Sequence, residues 1–278
     1  MTNKIGIIAG GRQFPYLFAE AAKRAGRQVV IAGHKGESHP DLEGIADSFC
    51  WVKLGQLGKI IKFFQAERVE EAVFLGTITK TRIFRDVLPD LKGISLWNKI
   101  DIRQDDAILR AFADELEREG IKVLESTLYL RHLLFPAGIL TRKKPSSSQK
   151  RDIEFGFKMA RAIGGLDIGQ CVVVRDMSVM AVEAIEGTDA AIKRGGALAK
   201  ENAVVVKVRK PQQDFRFDLP ATGPATIESM IGVSAAVLAV EAGQSLLFDR
   251  EAVISRADKA GIVVIGLAEG ADGQMMID

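Results

Sequence analysis

The run Lys4-Ile-Gly-Ile-Ile-Ala9, followed at once by Gly10-Gly11, constrains the fold more than any other stretch of the chain. Its apolar residues predict a short buried strand, and the two glycines a tight turn. Gln13–Arg24 then carries Phe14, Leu17, Phe18, Ala21 and Ala22 on one helical face and stops at Gly26. The alternation continues along the chain. Strands are expected at 28–32, 71–75 and 121–124, with a polar loop at 33–43 and helices at 58–67 and 105–119. Strands separated by helices in this way build parallel βαβ units, so the first half reads as a Rossmann-like sheet.

Thr141-Arg-Lys-Lys-Pro-Ser-Ser-Ser-Gln-Lys-Arg151 has no apolar periodicity and is expected to be a linker. The division that follows is a Rossmann-like domain at 1–136, a basic linker at 137–151 and a second domain at 152–278. That second domain reads as α/β or α+β. It has helices at 152–163 and 188–200, and a hairpin of 170–175 and 180–185 around Asp176-Met177-Ser178. A strand at 203–208 follows, then a loop at 211–223. Helix and strand alternate from there to Gly266, and the tail beyond has little pattern and is expected to be loose.

At 278 residues the chain is long enough for two domains, and 47% apolar with 27% charged residues excludes wholesale disorder. Charge is unevenly placed: residues 1–140 carry 20 basic and 18 acidic side chains, 141–151 carry 5 and none, and 152–278 carry 13 and 18. A basic stretch between a near-neutral half and an acidic half is no nucleic-acid footprint. Cys50 and Cys171 make neither a CxxC nor a disulfide framework, and His34, His39 and His132 make no paired zinc motif. The N-terminal stretch lacks the features of a signal peptide, and no apolar run approaches the roughly 20 residues that span a bilayer. A soluble, cytoplasmic protein is expected.

Three segments could carry chemistry. Gly10-Gly11-Arg12 sits between the first strand and first helix, where glycine amides, a helix N-terminus and an arginine can hold an anion. The spacing is neither GxGxxG nor a P-loop, and a tight turn without ligand explains it equally. Gly76-Thr77-Ile78-Thr79-Lys80 lies at another strand end, with hydroxyls and a lysine suited to a phosphate or sugar. In Lys207–Pro224, Asp214, Arg216 and Asp218 alternate with Phe215 and Phe217. An extended segment would place the polar groups on one face, with the two carboxylates about 13 Å apart. Carboxylates near Lys207, Arg209, Lys210 and Arg216 suit Mg²⁺-assisted phosphoryl chemistry, whereas a solvated edge strand with cross-paired charges is the structural alternative. Finally, Glu186-Gly-Thr-Asp189 offers Thr188 or Asp189 as a helix cap or a ligand group.

Taken together, Gly6-Ile-Ile-Ala-Gly-Gly11 with Phe14-Pro15, Gly76–Lys80, Gly165-Leu-Asp-Ile-Gly-Gln170, Val182–Asp189, Lys210-Pro-Gln-Gln-Asp214 and Arg216-Phe-Asp-Leu-Pro220 with Gly223 resemble the LpxI family. The resemblance runs from residue 5 to about residue 266. It implies a UDP-2,3-diacylglucosamine pyrophosphatase of lipid A biosynthesis, cleaving a lipid-linked UDP-sugar with water and Mg²⁺ to UMP and 2,3-diacylglucosamine 1-phosphate. It also implies a Rossmann-like N-terminal domain, a C-terminal domain of unusual topology, and a homodimer. The catalytic aspartate maps to Asp218 and the next acidic candidate is Asp214. Both are candidate Mg²⁺ ligands. Such a substrate calls for transient peripheral contact with the inner membrane, for which Arg142, Lys143, Lys144, Lys150 and Arg151 are the candidate residues. A nucleotide-linked oxidoreductase, or a non-catalytic sugar-nucleotide-binding protein, is the alternative. The first lacks GxGxxG and an acidic residue closing the second strand.

Overall fold

The computed structural model describes residues 3–78, 89–97, 105–217, 219–269 and 275–277. The chain divides into two compact units. The first holds residues 1–131 together with 214–218, and the second holds 132–213 and 219–278. The boundary near 131 falls a few residues before the expected one, and a five-residue piece of the second half belongs to the first unit.

Unit 1 contains β1 (Lys4–Ala9), α1 (Phe14–Arg24), β2 (Gln28–His34), α2 (Leu42–Ile45), β3 (Ser48–Val52), α3 (Leu57–Ala66), β4 (Glu71–Leu75), α4 (Leu91–Trp97), α5 (Asp105–Arg118) and β5 (Lys122–Val123). The five strands are parallel, in the order β3-β2-β1-β4-β5. Central strands of such a sheet are covered on both faces, which is why Ile5, Ile7 and Ile8 are all buried without alternation. Ile8, Val30 and Phe74 pack against Ile60, Ile61 and Phe64 of α3 and Ala113 and Leu116 of α5. The order reverses between β1 and β4. That reversal is the switch point where open parallel sheets collect ligands at their carboxyl ends.

Unit 2 contains β6 (Gly138–Ile139), α6 (Ser147–Gly165), β7 (Cys171–Arg175), β8 (Ser178–Val182), α7 (Thr188–Ala199), β9 (Val204–Lys207), β10 (Ala221–Thr222), α8 (Pro224–Ile231), β11 (Val237–Glu241), β12 (Leu246–Leu247), α9 (Arg250–Ala260), β13 (Val263–Glu269) and β14 (Met275–Met276). Its main sheet runs β14-β13-β11-β9-β7-β8, with β6 also on β13. β9, β11 and β13 are parallel; β7 pairs antiparallel with β9, and β8 returns antiparallel to β7 in a hairpin. Helix α6 covers one face through Ile153, Phe157 and Ala160. Ile192 of α7, Ile227 and Met230 of α8, and Val253 and Ala257 of α9 cover the other. The expectation of an α/β fold with a Rossmann-like half and a second mixed half holds.

Three expectations give way. The basic segment is not an irregular linker: Ser146 caps α6, its Oγ accepting from the Gln149 amide while Gln149 Oε1 accepts from the Ser146 amide, so the helix begins five residues earlier than expected. Upstream of the cap, the Arg142 amide donates to Asp258 Oδ1 and Lys143 Nζ to the Gly261 carbonyl, which pins the segment to α9. The tail is not loose throughout, since β13 runs to Glu269, β14 pairs with it, and Ile277 is buried. Finally, Gly187 occupies the cap of α7, so Thr188 and Asp189 lie in its first turn.

Candidate functional site

In unit 1 the switch point is closed by backbone. The Gly10 amide donates to the Leu75 carbonyl at 2.7 Å and the Gly11 amide to the Thr77 carbonyl at 2.8 Å, with Gly11 and Thr77 forming an isolated bridge. A Cβ on Gly10 would stand 2.6 Å from Thr77 O, and Gly76 combines φ +85° with the Gly11 carbonyl 2.4 Å from any Cβ. Chain crossing therefore explains these glycines, and the amides expected to cradle an anion point into the sheet. Arg12, exposed and at φ 66°, has neither a hydrogen bond nor an ion pair among the described residues, so it is the cation that remains available there. Thr77 is exposed and Ile78 half-buried; Thr79 and Lys80 lie outside the described residues.

Beside these turns lies an apolar cavity of about 150 Å³, reached by Gly10 and Gly76 and walled by Ile60, Phe74, Leu109, Phe112 and Phe217. His34 also lines it. Its Nδ1 faces the Ala9 carbonyl at 2.9 Å, and burial pushes its imidazole below the ordinary histidine range against the pull of that bond.

Phe217 lines the cavity at the end of a turn, 214–217, within the loop expected at 211–223; the extended alternative is not formed. The Phe217 amide donates to the Asp214 carbonyl, and the Arg216 amide to Asp214 Oδ1. The Arg216 guanidinium also holds Asp214 Oδ2 at 2.9 Å through Nη2 and reaches Glu117 on α5 at 3.3 Å. Burial disfavours the Asp214 carboxylate, but Arg216 outweighs it and keeps its pKa below the ordinary range. Ser126 holds the Phe215 carbonyl through both its amide and its hydroxyl. The Phe217 ring sits edge-on to Phe74 at 5.5 Å. Asp218, the next residue, lies outside the described residues.

In unit 2 the carboxyl ends of the sheet carry buried charge. Lys207 ends β9, is 4% exposed, and donates to the Ala221 carbonyl at 2.7 Å. Glu241 ends β11 and accepts from Arg161 at 2.7 Å and from the Arg209 amide at 2.8 Å. Glu183 follows β8, is buried, and accepts from Thr188 Oγ1 while its Oε2 has no hydrogen-bond partner. Lys210 pairs with Asp167 at 2.6 Å, and Asp189 is exposed. Burial, with Glu183 adding to it, pushes the Cys171 thiol upward, so this free cysteine is an inert core group. Thus Gly10, Gly11, Gly76 and Thr77 meet in unit 1, Asp214 meets Arg216 in the same unit, and Lys207, Thr188 and Lys210 belong to unit 2. Glu183, Asp167, Glu117 and Phe217 went unnoticed as site residues. Glu183, Asp167 and Phe217 lie inside motifs already singled out, the two carboxylates where the half-buried Thr188 hydroxyl and Lys210 ammonium find a partner.

Among the described residues no three histidine, cysteine, aspartate or glutamate side chains are grouped to hold a metal. Asp214 spends its oxygens on Arg216, so as it stands it does not fit a metal ligand. Mg²⁺ needs few protein ligands, often one or two carboxylates plus substrate phosphate. No described helix is long and apolar enough to cross a membrane.

Two family models match successive parts of the chain. Residues 4–133 match the family model described as the LpxI N-terminal domain, and residues 136–265 that of the LpxI C-terminal domain. The chain is also similar to the UDP-2,3-diacylglucosamine pyrophosphatase LpxI of Caulobacter vibrioides, with 34% identity over 276 residues, covering 95% of this chain and 98% of the relative.

Proposed function

Because the chain belongs to the LpxI family, we propose that it hydrolyses the pyrophosphate bond of UDP-2,3-diacylglucosamine in lipid A biosynthesis. The full-length similarity to the Caulobacter pyrophosphatase carries this reading. In the reaction water adds at one phosphorus and the bridging P–O bond breaks. The products are UMP and 2,3-diacylglucosamine 1-phosphate, with a proton released.

The chemistry asks for three things. The first is charge for the pyrophosphate, which Arg12 supplies at the β1–β4 switch point, with Thr77 beside it and Lys80 further along the chain. The second is a carboxylate to orient water, a role we give to Asp218. Asp214, locked to Arg216, serves instead to hold the turn that precedes Asp218. The third is Mg²⁺, which we include as an ion brought with the pyrophosphate. Asp218 is its candidate protein ligand, and no step is derived through it. In unit 2, Lys207, Lys210, Thr188 and Asp189 are proposed to line the substrate's polar parts, with Glu183 Oε2 as an open acceptor.

The oxidoreductase alternative is disfavoured by β2, which ends in Gly33 and an inward-packed His34 where a carboxylate for a ribose diol would be needed. We further propose a cytoplasmic homodimer that touches the inner membrane only peripherally. Incubation with UDP-2,3-diacylglucosamine, with and without Mg²⁺, tests the activity: UMP and the diacyl sugar phosphate appear in equal amounts, and only with the ion. Release of UDP, or no turnover under either condition, contradicts it.

A further inference from the structure

We propose that the outer edge of β3 pairs antiparallel with the same strand of a second copy of this chain, in a register centred on Cys50. The proposal gives a surface to the homodimer of the preceding subsection and rests on that reading, but not on the pyrophosphatase activity.

β3 ends the sheet of unit 1, with β2 on one side and no strand among the described residues on the other. Residues of such a strand bond alternately inward and outward. The Val52 carbonyl accepts from the Lys35 amide, at the end of β2, so Ser48, Cys50 and Val52 bond inward. The amides and carbonyls of Phe49 and Trp51 therefore face out. The Trp51 carbonyl fits this, since it accepts from the exposed Lys59 through Nζ at 2.8 Å. Its second lone pair leaves it able to take a strand bond as well. An outward row of this kind is a template for another strand.

The flanking charges select what pairs there. Asp47 and Lys53 stand three residues before and after Cys50, and both are exposed. An antiparallel copy centred on Cys50 sets each Asp47 opposite the Lys53 of the other copy, at both ends of the ladder. The Lys53 ammonium has no partner among the described residues, and Asp47 keeps 41% of its side chain exposed beside Lys23. The same register puts Phe49 across from Trp51 at hydrogen-bonded positions. It thereby extends the edge-on pair these rings already make within one chain at 4.8 Å. Cys50 meets Cys50 at a non-hydrogen-bonded position, where facing Cα atoms approach to about 4.5 Å. The half-buried Cys50 thiol already leans on the Trp51 carbonyl of the outer edge at 3.7 Å. Centring the pair on Phe49 or Trp51 instead sets Asp47 against Trp51 or Gly55, and the charge match is lost. Two-fold pairing of this kind closes on itself, so the edge is consumed and does not propagate.

The test combines sedimentation velocity of the full chain with thiol cross-linking, by copper–phenanthroline and by a short bis-maleimide. Wild type should sediment as a dimer and become covalently joined. Cys50→Ser should stay a dimer and not be joined, since the other cysteine, Cys171, is buried. Lys53→Glu sets like charges face to face at both ends of the ladder. It should raise the dimer dissociation constant at least tenfold while keeping the wild-type circular dichroism, and Lys53→Arg should leave the constant within threefold. A monomer at every concentration overturns the homodimer and this surface together. A dimer that neither reagent joins through Cys50 overturns the surface alone, whether the edge takes a strand of another protein or none. A Lys53→Glu dimer that dissociates within threefold of wild type does the same.

Discussion

The two units solve the same problem, what to place at the carboxyl ends of a sheet, in opposite ways. Unit 1 surrounds its switch point with backbone-bonded glycine turns and an apolar cavity. Unit 2 surrounds its strand ends with buried ionic and polar groups: Lys207, Glu241 and Glu183. The two environments differ in what they tolerate. Low polarity that favours a methylene penalises an unpaired charge. The difference suggests a division of labour by chemistry, and each half of it can be broken separately.

The largest effect is expected at the crossing of β1 and β4. Gly76→Ala forces a side chain into a left-handed position and against the Gly11 carbonyl, so it should destabilise unit 1 by about 3 kcal/mol in urea unfolding. Gly10→Ala should act in the same direction, through the Thr77 carbonyl. A change below about 0.5 kcal/mol in both would mean that the turns are not held by packing and are free to serve a ligand.

Next comes the ionic half. Glu241→Ala leaves Arg161 and the Arg209 amide without their shared acceptor, and should cost about 2 kcal/mol in unit 2 alone. Hydrogen exchange resolved by unit distinguishes this from a general loosening.

Much of this contrast was legible beforehand and part was not. The strands of unit 1 stood out because burial on both faces leaves uninterrupted apolar runs such as Ile5–Ala9. The start of α6 was obscured by its polar, basic composition, although Ser146 and Gln149 have capping-box spacing. The alternation of Asp214, Phe215, Arg216 and Phe217 imitated a strand; an aspartate that hydrogen-bonds the amide two residues on makes a turn with the same letters. Which cations remain available was beyond local reading. Lys210 is matched by Asp167, 43 residues away, and Arg216 by Glu117, 99 residues away. Only the fold brings such pairs together.

A smaller effect should follow pH. His34 is held below its ordinary value of 6.5 in the folded chain, so the unfolded chain takes up a proton first as pH falls. Its contribution to unit 1 is therefore present above about pH 6.5 and lost below it. The urea midpoint of unit 1 should drop between pH 8 and pH 5.5 relative to that of unit 2, and His34→Gln should remove most of the difference. Asp214, also depressed, keeps its contribution until pH falls below the ordinary aspartate value of 3.8, outside that window.

The smallest effect concerns the membrane. Five basic residues between 142 and 151 could each contribute about 1 kcal/mol next to anionic lipid, screened by salt. Two of them are already tied to the α9 region, which lowers what they can offer. Neutralising Arg142, Lys143, Lys144, Lys150 and Arg151 should reduce co-sedimentation with anionic vesicles modestly and leave turnover of detergent-dispersed substrate unchanged. Equal sedimentation would point to the exposed apolar side chains of α4 in unit 1.

The most direct test of the central claim is single-site and catalytic. Asp218→Ala should reduce UMP release from UDP-2,3-diacylglucosamine by a factor of about 10² or more at saturating substrate. Substrate binding and melting temperature should stay close to wild type. Turnover within threefold of wild type would contradict the account, because Asp214, the described carboxylate of that segment, is held by the Arg216 guanidinium.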